Sequence, residues 1–206
     1  MTSMDATTGG LTDAQQQAVS HTEGPMLVLA GPGSGKTTVV TQRISHLIES
    51  GIPPWQILAL TFTNKAAGEM RDRVTNILDE EQVNLRGLNV STFHAFCARV
   101  LRDWGDRIIG TKTFTIYDTA DQKSAVKEAI KSCDLSDSNW RPASILAAIS
   151  TAKNKLIDPA TFESEAYDFY SKSIAKLYCS YDEILRGNDA VDFDDLLMKT
   201  APKSQK

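Results

Sequence analysis

An apolar run, Met-Leu-Val-Leu-Ala at residues 26–30, leads without a break into Gly31-Pro-Gly-Ser-Gly-Lys-Thr37. A strand that empties into a glycine-rich turn and then opens a helix is the local geometry of a phosphate-binding loop. Gly31, Gly33 and Gly35 carry no Cβ, so successive backbone N–H groups can turn inward around a chain of phosphates. Lys36 supplies a point charge for the outer phosphates, and Thr37 a hydroxyl for Mg²⁺. The helix starting there directs its N-terminal donors at the same anion. The strict pattern G-x-x-x-x-G-K-[ST] has glycine where this chain has Ala30; a small residue is the physical requirement, and alanine meets it. The candidate nucleotide site therefore covers Ala30, Gly31, Pro32, Gly33, Ser34, Gly35, Lys36, Thr37 and Thr38. Lys36 and Thr37 are its candidate catalytic groups, and Thr37 is its candidate metal ligand. The implied ligand is a nucleoside triphosphate with Mg²⁺.

The rest of the first half alternates strand and helix. Residues 11–19 read as a short helix capped by Thr12, and 26–30 as the first strand. Val39, Val40, Ile44, Leu47 and Ile48 recur at helical spacing until Gly51. Residues 57–62 read as a second strand. Asn64 is the candidate cap of a helix burying Ala66, Ala67, Met70, Val74, Ile77 and Leu78. A third strand at 88–90 and a helix at 93–101 follow. This alternation implies a parallel sheet with helices on its faces. The rhythm then changes. Between 104 and 188 only 114–117 reads as extended, and helices are expected at 119–133, 142–153, 159–169 and 171–185. That describes a mainly helical insertion with its own small core. Residues 192–198 restart an amphipathic helix, and a polar tail fills 201–206.

Three further segments carry chemistry. Thr61, Phe62, Thr63, Asn64 and Lys65 join a strand to a helix, and their hydroxyls, amide and cation suit a phosphodiester backbone. Phe62 offers a face for base stacking, although Asn64 as a plain cap and Phe62 as a core residue are equally good readings. Thr92 and His94 sit where another strand gives way to a helix; a lone histidine there is more often packed or capping than functional. Gln15 can make a two-point hydrogen bond to an adenine edge. Thr12-x-x-Gln15 also fits a capping box, and spacing alone favours the cap.

Taken in order, LTDAQQQAV, AGPGSGKTTVV, LALTFTNKAAGEMRDRV, VSTFHAFCARVLR, FTIYD and VDFDDLL resemble the N-terminal part of superfamily 1 DNA helicases of the UvrD/Rep/PcrA type, from about Leu11 to Met198. The resemblance implies a P-loop NTPase (RecA-like) α/β fold whose parallel sheet is incomplete, with a mainly helical inserted subdomain. It implies a disordered tail at 1–10 and the N-terminal half of the first RecA-like ATP-binding domain at 11–103. The helical insertion would fill 104–190, with a return into the RecA-like domain and the polar tail at 191–206. It makes Gln15 an adenine reader and places Phe62, Thr63, Asn64, Lys65, Thr92 and His94 along a single-stranded DNA path. ATP and Mg²⁺ are the implied cofactors, and single-stranded DNA with a duplex junction the implied partner. Lys153 and Lys155 are candidate DNA contacts in the insertion, but solvated surface charge is the reading the sequence favours.

The family's next motif, Asp-Glu-x-Gln-Asp (Walker B), does not occur in these 206 residues, and neither do the family's arginine fingers. Phosphoryl transfer depends on such positioned charges. Nucleotide hydrolysis by these residues alone is therefore expected to be negligible, unless a missing helicase half acts in trans. A non-catalytic nucleotide- or DNA-binding remnant is the main rival reading. A small P-loop kinase is a weaker one, because it leaves TFTNKAAGEM unexplained. Without neighbouring strands, 26–30 would present an open apolar edge and the isolated fold would be marginal. A net charge of −4 argues against wholesale coating of nucleic acid and for a local groove. Cys97, Cys133 and Cys179 are odd in number and widely spaced, as thiols of a reducing, cytoplasmic compartment would be. No apolar run reaches the length of a membrane span.

Overall fold

A computed structural model describes residues 10–79, 84–135 and 140–201, so most of both expected terminal tails lies outside the described residues. The chain forms two compact units, one ending at Phe93 and the other beginning at His94.

In the first unit, α1 (Asp13–Ser20) is followed by α2 (Lys36–Glu49), β1 (Leu58–Thr61), α3 (Asn64–Asp79) and β2 (Asn89–Thr92). β1 and β2 pair in parallel, with Leu58 opposite Asn89 and Thr61 opposite Thr92. Parallel neighbours need a long crossover, and α3 provides it. Ala67, Met70, Val74 and Leu78 line one face of α3 and pack with Ile44 and Ile48 of α2, Ile57 and Val90. Arg71 ties the helix to the sheet by donating to the Val90 carbonyl oxygen at 2.7 Å. A smaller cluster joins Ala18 and Val19 of α1 to Val39 of α2.

The strand expected at 26–30 does not form. A strand is held by ladder bonds to a neighbour, and in this unit only β1 and β2 pair among the described residues. The run is instead irregular and open, with Leu27 84% and Leu29 87% exposed. Met26, Leu27, Val28 and Leu29, with Ala14, Gln17, Ala18 and His21, line an open groove of about 400 Å³. The mixed helix-and-strand architecture with parallel pairing is present, but as a two-stranded sheet. A second correction concerns the cap of α3. Thr63 Oγ1 accepts from the Ala66 N–H at 3.1 Å, so Thr63 is the capping residue and Asn64 the first residue of the helix.

The second unit packs α5 (Thr119–Ser132), α6 (Pro142–Asn154), α7 (Pro159–Glu165) and α8 (Phe169–Gly187). Val126, Ile130, Ile145, Ile149, Leu177 and Tyr181 form the centre of their core. Here α4 (Phe93–Ile108) contributes Cys97 and Leu101 to a smaller cluster with Phe114, Val191 and Leu196. The junction read at 103–104 thus falls inside one continuous helix. Gly105 on α4 lies so close to the Thr111 carbonyl that a Cβ would collide with that backbone. β3 (Thr115–Ile116) pairs in parallel with β4 (Ala190–Val191), a two-residue strand that no sequence pattern announces. The helices α5 to α8 are therefore the crossover between two strands. Asp118, Asp168 and Asp192 cap α5, α8 and α9 (Phe193–Thr200), each through a reciprocal capping box. Backbone N–H donors hold the Asp118 and Asp168 carboxyls below the usual range. No described helix is long and apolar enough to cross a membrane.

Lys153 is not a surface charge. It is 2% exposed, with Nζ 2.7 Å from Asp192 Oδ2 and 2.9 Å from Asp195 Oδ1. Tyr181 Oη donates to the same Asp192 oxygen at 2.9 Å, and the ammonium lies 5.2 Å from the centre of the Tyr181 ring. Lys155, by contrast, is exposed as expected. Burial alone would push the Lys153 ammonium down, but attraction to Asp195 and Asp192 outweighs it and the value is raised. Burial raises Asp195, and Lys153 only partly offsets this because Asp192 repels it. Lys199 Nζ, 3.6 Å from Asp195 Oδ1, also pulls that carboxyl down, but burial and the neighbouring Asp192 carboxylate keep the net direction upward. Lys153 contributes stability that is present below the ordinary lysine range and is lost as pH rises through its raised value.

Lys153→Met leaves Asp192 buried without its cation and Asp195 with only Lys199, whose Nζ is 3.6 Å from Oδ1. The expected loss is about 3–5 kcal/mol in urea unfolding at neutral pH. It should shrink toward acid pH as Asp195, whose carboxyl burial holds above the ordinary range, takes up a proton; an equal loss at both pH values would contradict the network. For the open segment, Leu27→Lys with Leu29→Lys should reduce self-association in sedimentation velocity. Both side chains are exposed, so stability should change by no more than about 0.5 kcal/mol; a large drop would mean the segment is packed.

Candidate nucleotide and nucleic-acid site

The phosphate loop keeps the conformation its sequence requires even though no strand precedes it. Gly33 and Gly35 both have positive φ, +74° and +76°. The Ser34 N–H and Oγ both donate to the Gly31 carbonyl oxygen, at 3.4 and 2.7 Å, closing the turn. Gly35 then serves as the N-cap of α2, and its carbonyl accepts from the Val39 N–H at 2.9 Å. The amides in the first turn of α2 have no acceptor within the helix and are available to an anion.

Lys36 folds back over the loop. Its Nζ donates to the Gly31 carbonyl at 2.6 Å and to the Ala30 carbonyl at 3.2 Å, which holds the ammonium beside the turn. Pro32, Thr37 and Thr38 are exposed, the two threonines in the first turn of α2. A side chain at Gly35 would be strained at φ +76°, and its Cβ, 2.9 Å from Gln15 Nε2, would displace the Gln15 side-chain amide. Backbone donors, a fixed cation and a hydroxyl at the helix start together fit a Mg²⁺-bound polyphosphate.

Gln15 closes the expected capping box. Its N–H donates to Thr12 Oγ1 at 3.4 Å, and its Oε1 accepts from the Thr12 N–H at 2.8 Å. Its Nε2 has a partner that spacing does not suggest, the Ser34 carbonyl oxygen at 3.0 Å. The cap favoured by spacing is thus present, and Gln15 also lies against the loop.

The parallel register brings the C-terminal ends of β1 and β2 side by side, the end at which open α/β sheets bind ligands. Phe62 follows β1 directly and is 90% exposed, which removes the core reading for it. Its ring is 5.8 Å from that of Phe93, the residue after β2. Phe93 is also exposed and was not singled out from sequence; an aromatic placed directly after a strand is the signal that could have found it. Thr63 is engaged as a helix cap, and Asn64 and Lys65 are exposed in the first turn of α3. Lys65 Nζ is 3.9 Å from Glu69, a loose surface pair. Thr92 is buried at the end of β2. His94 lies in the second unit, exposed in the first turn of α4, with its ring edge-on to Phe193 at 6.0 Å. The structure therefore groups Phe62, Thr63, Asn64, Lys65 and Phe93 within one unit, and places His94 in the other.

The UvrD/REP helicase N-terminal domain family matches residues 11–206. The ATP-dependent DNA helicase PcrA of Bacillus subtilis is 46% identical over 93% of the chain, and that match covers 26% of the relative. The PcrA helicases of Leuconostoc citreum and Staphylococcus epidermidis are 43% and 44% identical over 96% of the chain, covering 26% and 27% of their own lengths. The chain thus spans about a quarter of the length of these relatives. By its sequence over residues 11–206, the chain belongs to the UvrD/REP helicase N-terminal domain family.

Proposed function

We propose that the chain is the ATP-binding N-terminal portion of a UvrD-like, ATP-dependent DNA helicase that moves 3′ to 5′ along single-stranded DNA and acts at duplex junctions. The observation that carries this reading is the phosphate loop itself, with Lys36 held over it by the Ala30 and Gly31 carbonyls. Lys36 neutralises the β- and γ-phosphates, and loop and helix N–H groups hold the chain of phosphates. Thr37 would hold Mg²⁺, which would supply positive charge to the bound polyphosphate. Gln15 reads the adenine edge. Supporting the DNA reading, Phe62 and Phe93 offer exposed aromatic faces beside Asn64 and Lys65, the combination of stacking and backbone contact that single strands need. Thr92 and His94 join that path by their place in the family's motif. Residues 11–103 supply the ATP-binding part in this reading and 104–190 the inserted helical subdomain, the sequence boundary between them lying within α4.

One observation favours a second, narrower reading for these 206 residues by themselves. They contain no Asp-Glu-x-Gln, hence no recognised acid to orient an attacking water. They would then bind nucleotide and DNA without turnover, and completing residues in trans would be needed for catalysis.

ATP turnover and Mg²⁺-nucleotide binding by the purified chain, with and without single-stranded DNA, separate these readings. Binding should be present and should weaken at least about tenfold in Lys36→Ala, the loss of a charge-assisted hydrogen bond. Turnover should stay at background. DNA-stimulated turnover abolished by Lys36→Ala would show that the catalytic acid lies within these residues; absence of nucleotide binding would overturn the proposal.

A further inference from the structure

Gln15 stands between two structures that its sequence position does not connect. Its Oε1 is committed to the Thr12 N–H, within the first turn of α1. Its Nε2 donates to the Ser34 carbonyl oxygen at 3.0 Å and lies directly over Gly35. Both ends of the side-chain amide are therefore in use before any base is considered.

The block behind Gln15 is firm. Ala18 and Val19 are buried against Val39, and Arg43 of α2 donates to the Ala18 and Val19 carbonyls at 2.9 and 3.4 Å. α1 is thus anchored to the helix that the phosphate loop opens. The loop has little support of its own: its residues are largely exposed, and the bonds from Ser34 and Lys36 run only to Gly31 and Ala30. Gly33 and Gly35, on either side of Ser34, both have positive φ, a conformation that glycine leaves unusually free to change. Fixing the Ser34 carbonyl from outside fixes the direction of the peptide between Ser34 and Gly35, and so the direction of the Gly35 N–H.

We propose that Gln15 is a positioning residue for the phosphate loop. It braces the Ser34–Gly35 peptide against α1, so that the inward N–H groups are preset for a polyphosphate whether or not a base is attached. The inference rests on the nucleotide-binding reading and extends it: base and phosphate recognition share one side chain.

A ligand without a base isolates the brace. Binding of Mg²⁺-tripolyphosphate and Mg²⁺-ATP is measured by calorimetry for the unmodified chain, Gln15→Met, Thr12→Val and Lys36→Ala. Gln15→Met should weaken tripolyphosphate about threefold to tenfold, the size of one hydrogen bond, and ATP by at least as much. Thr12→Val removes the hydroxyl of the cap but leaves Gln15 Nε2 in place, so it should leave tripolyphosphate binding unchanged. Amide hydrogen exchange without ligand gives a second readout: exchange across residues 31–35 should quicken in Gln15→Met and not in Thr12→Val. If Gln15→Met weakens ATP alone, the residue reads only the base and the inference is overturned. An equal effect from Thr12→Val also overturns it, by tracing the loss to the helix cap. If the unmodified chain binds neither ligand and Lys36→Ala is no different, the nucleotide reading fails and the inference falls with it.

Discussion

Parallel strand pairing is the constraint that organises both units. Two parallel neighbours cannot be joined by a tight turn, so the chain must leave the sheet and return along its face. In the first unit α3 makes that return, and its buried stripe of Ala67, Met70, Val74 and Leu78 is what holds β1 and β2 in place. The register from Leu58–Asn89 to Thr61–Thr92 then brings two strand ends together, and with them Phe62 and Phe93. In the second unit the same requirement is met on a larger scale, since α5 to α8 all lie between β3 and β4. Four helices can lie between them because both ends of the excursion are brought back to one short ladder.

That ladder is only two residues long on each strand, and the ionic network beside it supplies what hydrogen bonds cannot. Asp192 follows the return strand directly and caps α9, while Asp195 completes the same capping box from inside the helix. Lys153 reaches both from α6. One buried ammonium therefore fixes where the returning chain turns into its next helix. A hydrophobic contact could bury as much area, but it would not specify which residue of α9 comes first.

Features that depend on near neighbours in sequence were legible without coordinates. The phosphate loop, the helix periodicities and the Thr12–Gln15 capping box all belong to this class. Features that depend on distant partners were not. Residues 26–30 have the composition of a strand, yet a strand exists only beside another, and no described strand lies there. Lys153 reads as surface because its carboxylates lie about forty residues further along. The cap of α3 fell to Thr63 and not Asn64 because both residue types can cap, and only the backbone decides between adjacent positions. At the candidate site, the types and order of Gln15, Lys36, Thr37, Phe62 and His94 were legible. The bond from Gln15 to the Ser34 carbonyl and the pairing of Phe62 with Phe93 were not, since each depends on how separate elements pack.

The central claim is that residues 30–38 form a preset polyphosphate cradle steadied by Gln15. Titrating the isotopically labelled chain with Mg²⁺-ATP, while following backbone and side-chain amide resonances, tests it directly. The account predicts that the largest shifts fall on Gly31, Gly33, Ser34, Gly35, Lys36 and Thr37 and on the Gln15 side-chain amide. Shifts that bypass the loop and centre elsewhere, or no saturable shift at all, would contradict it.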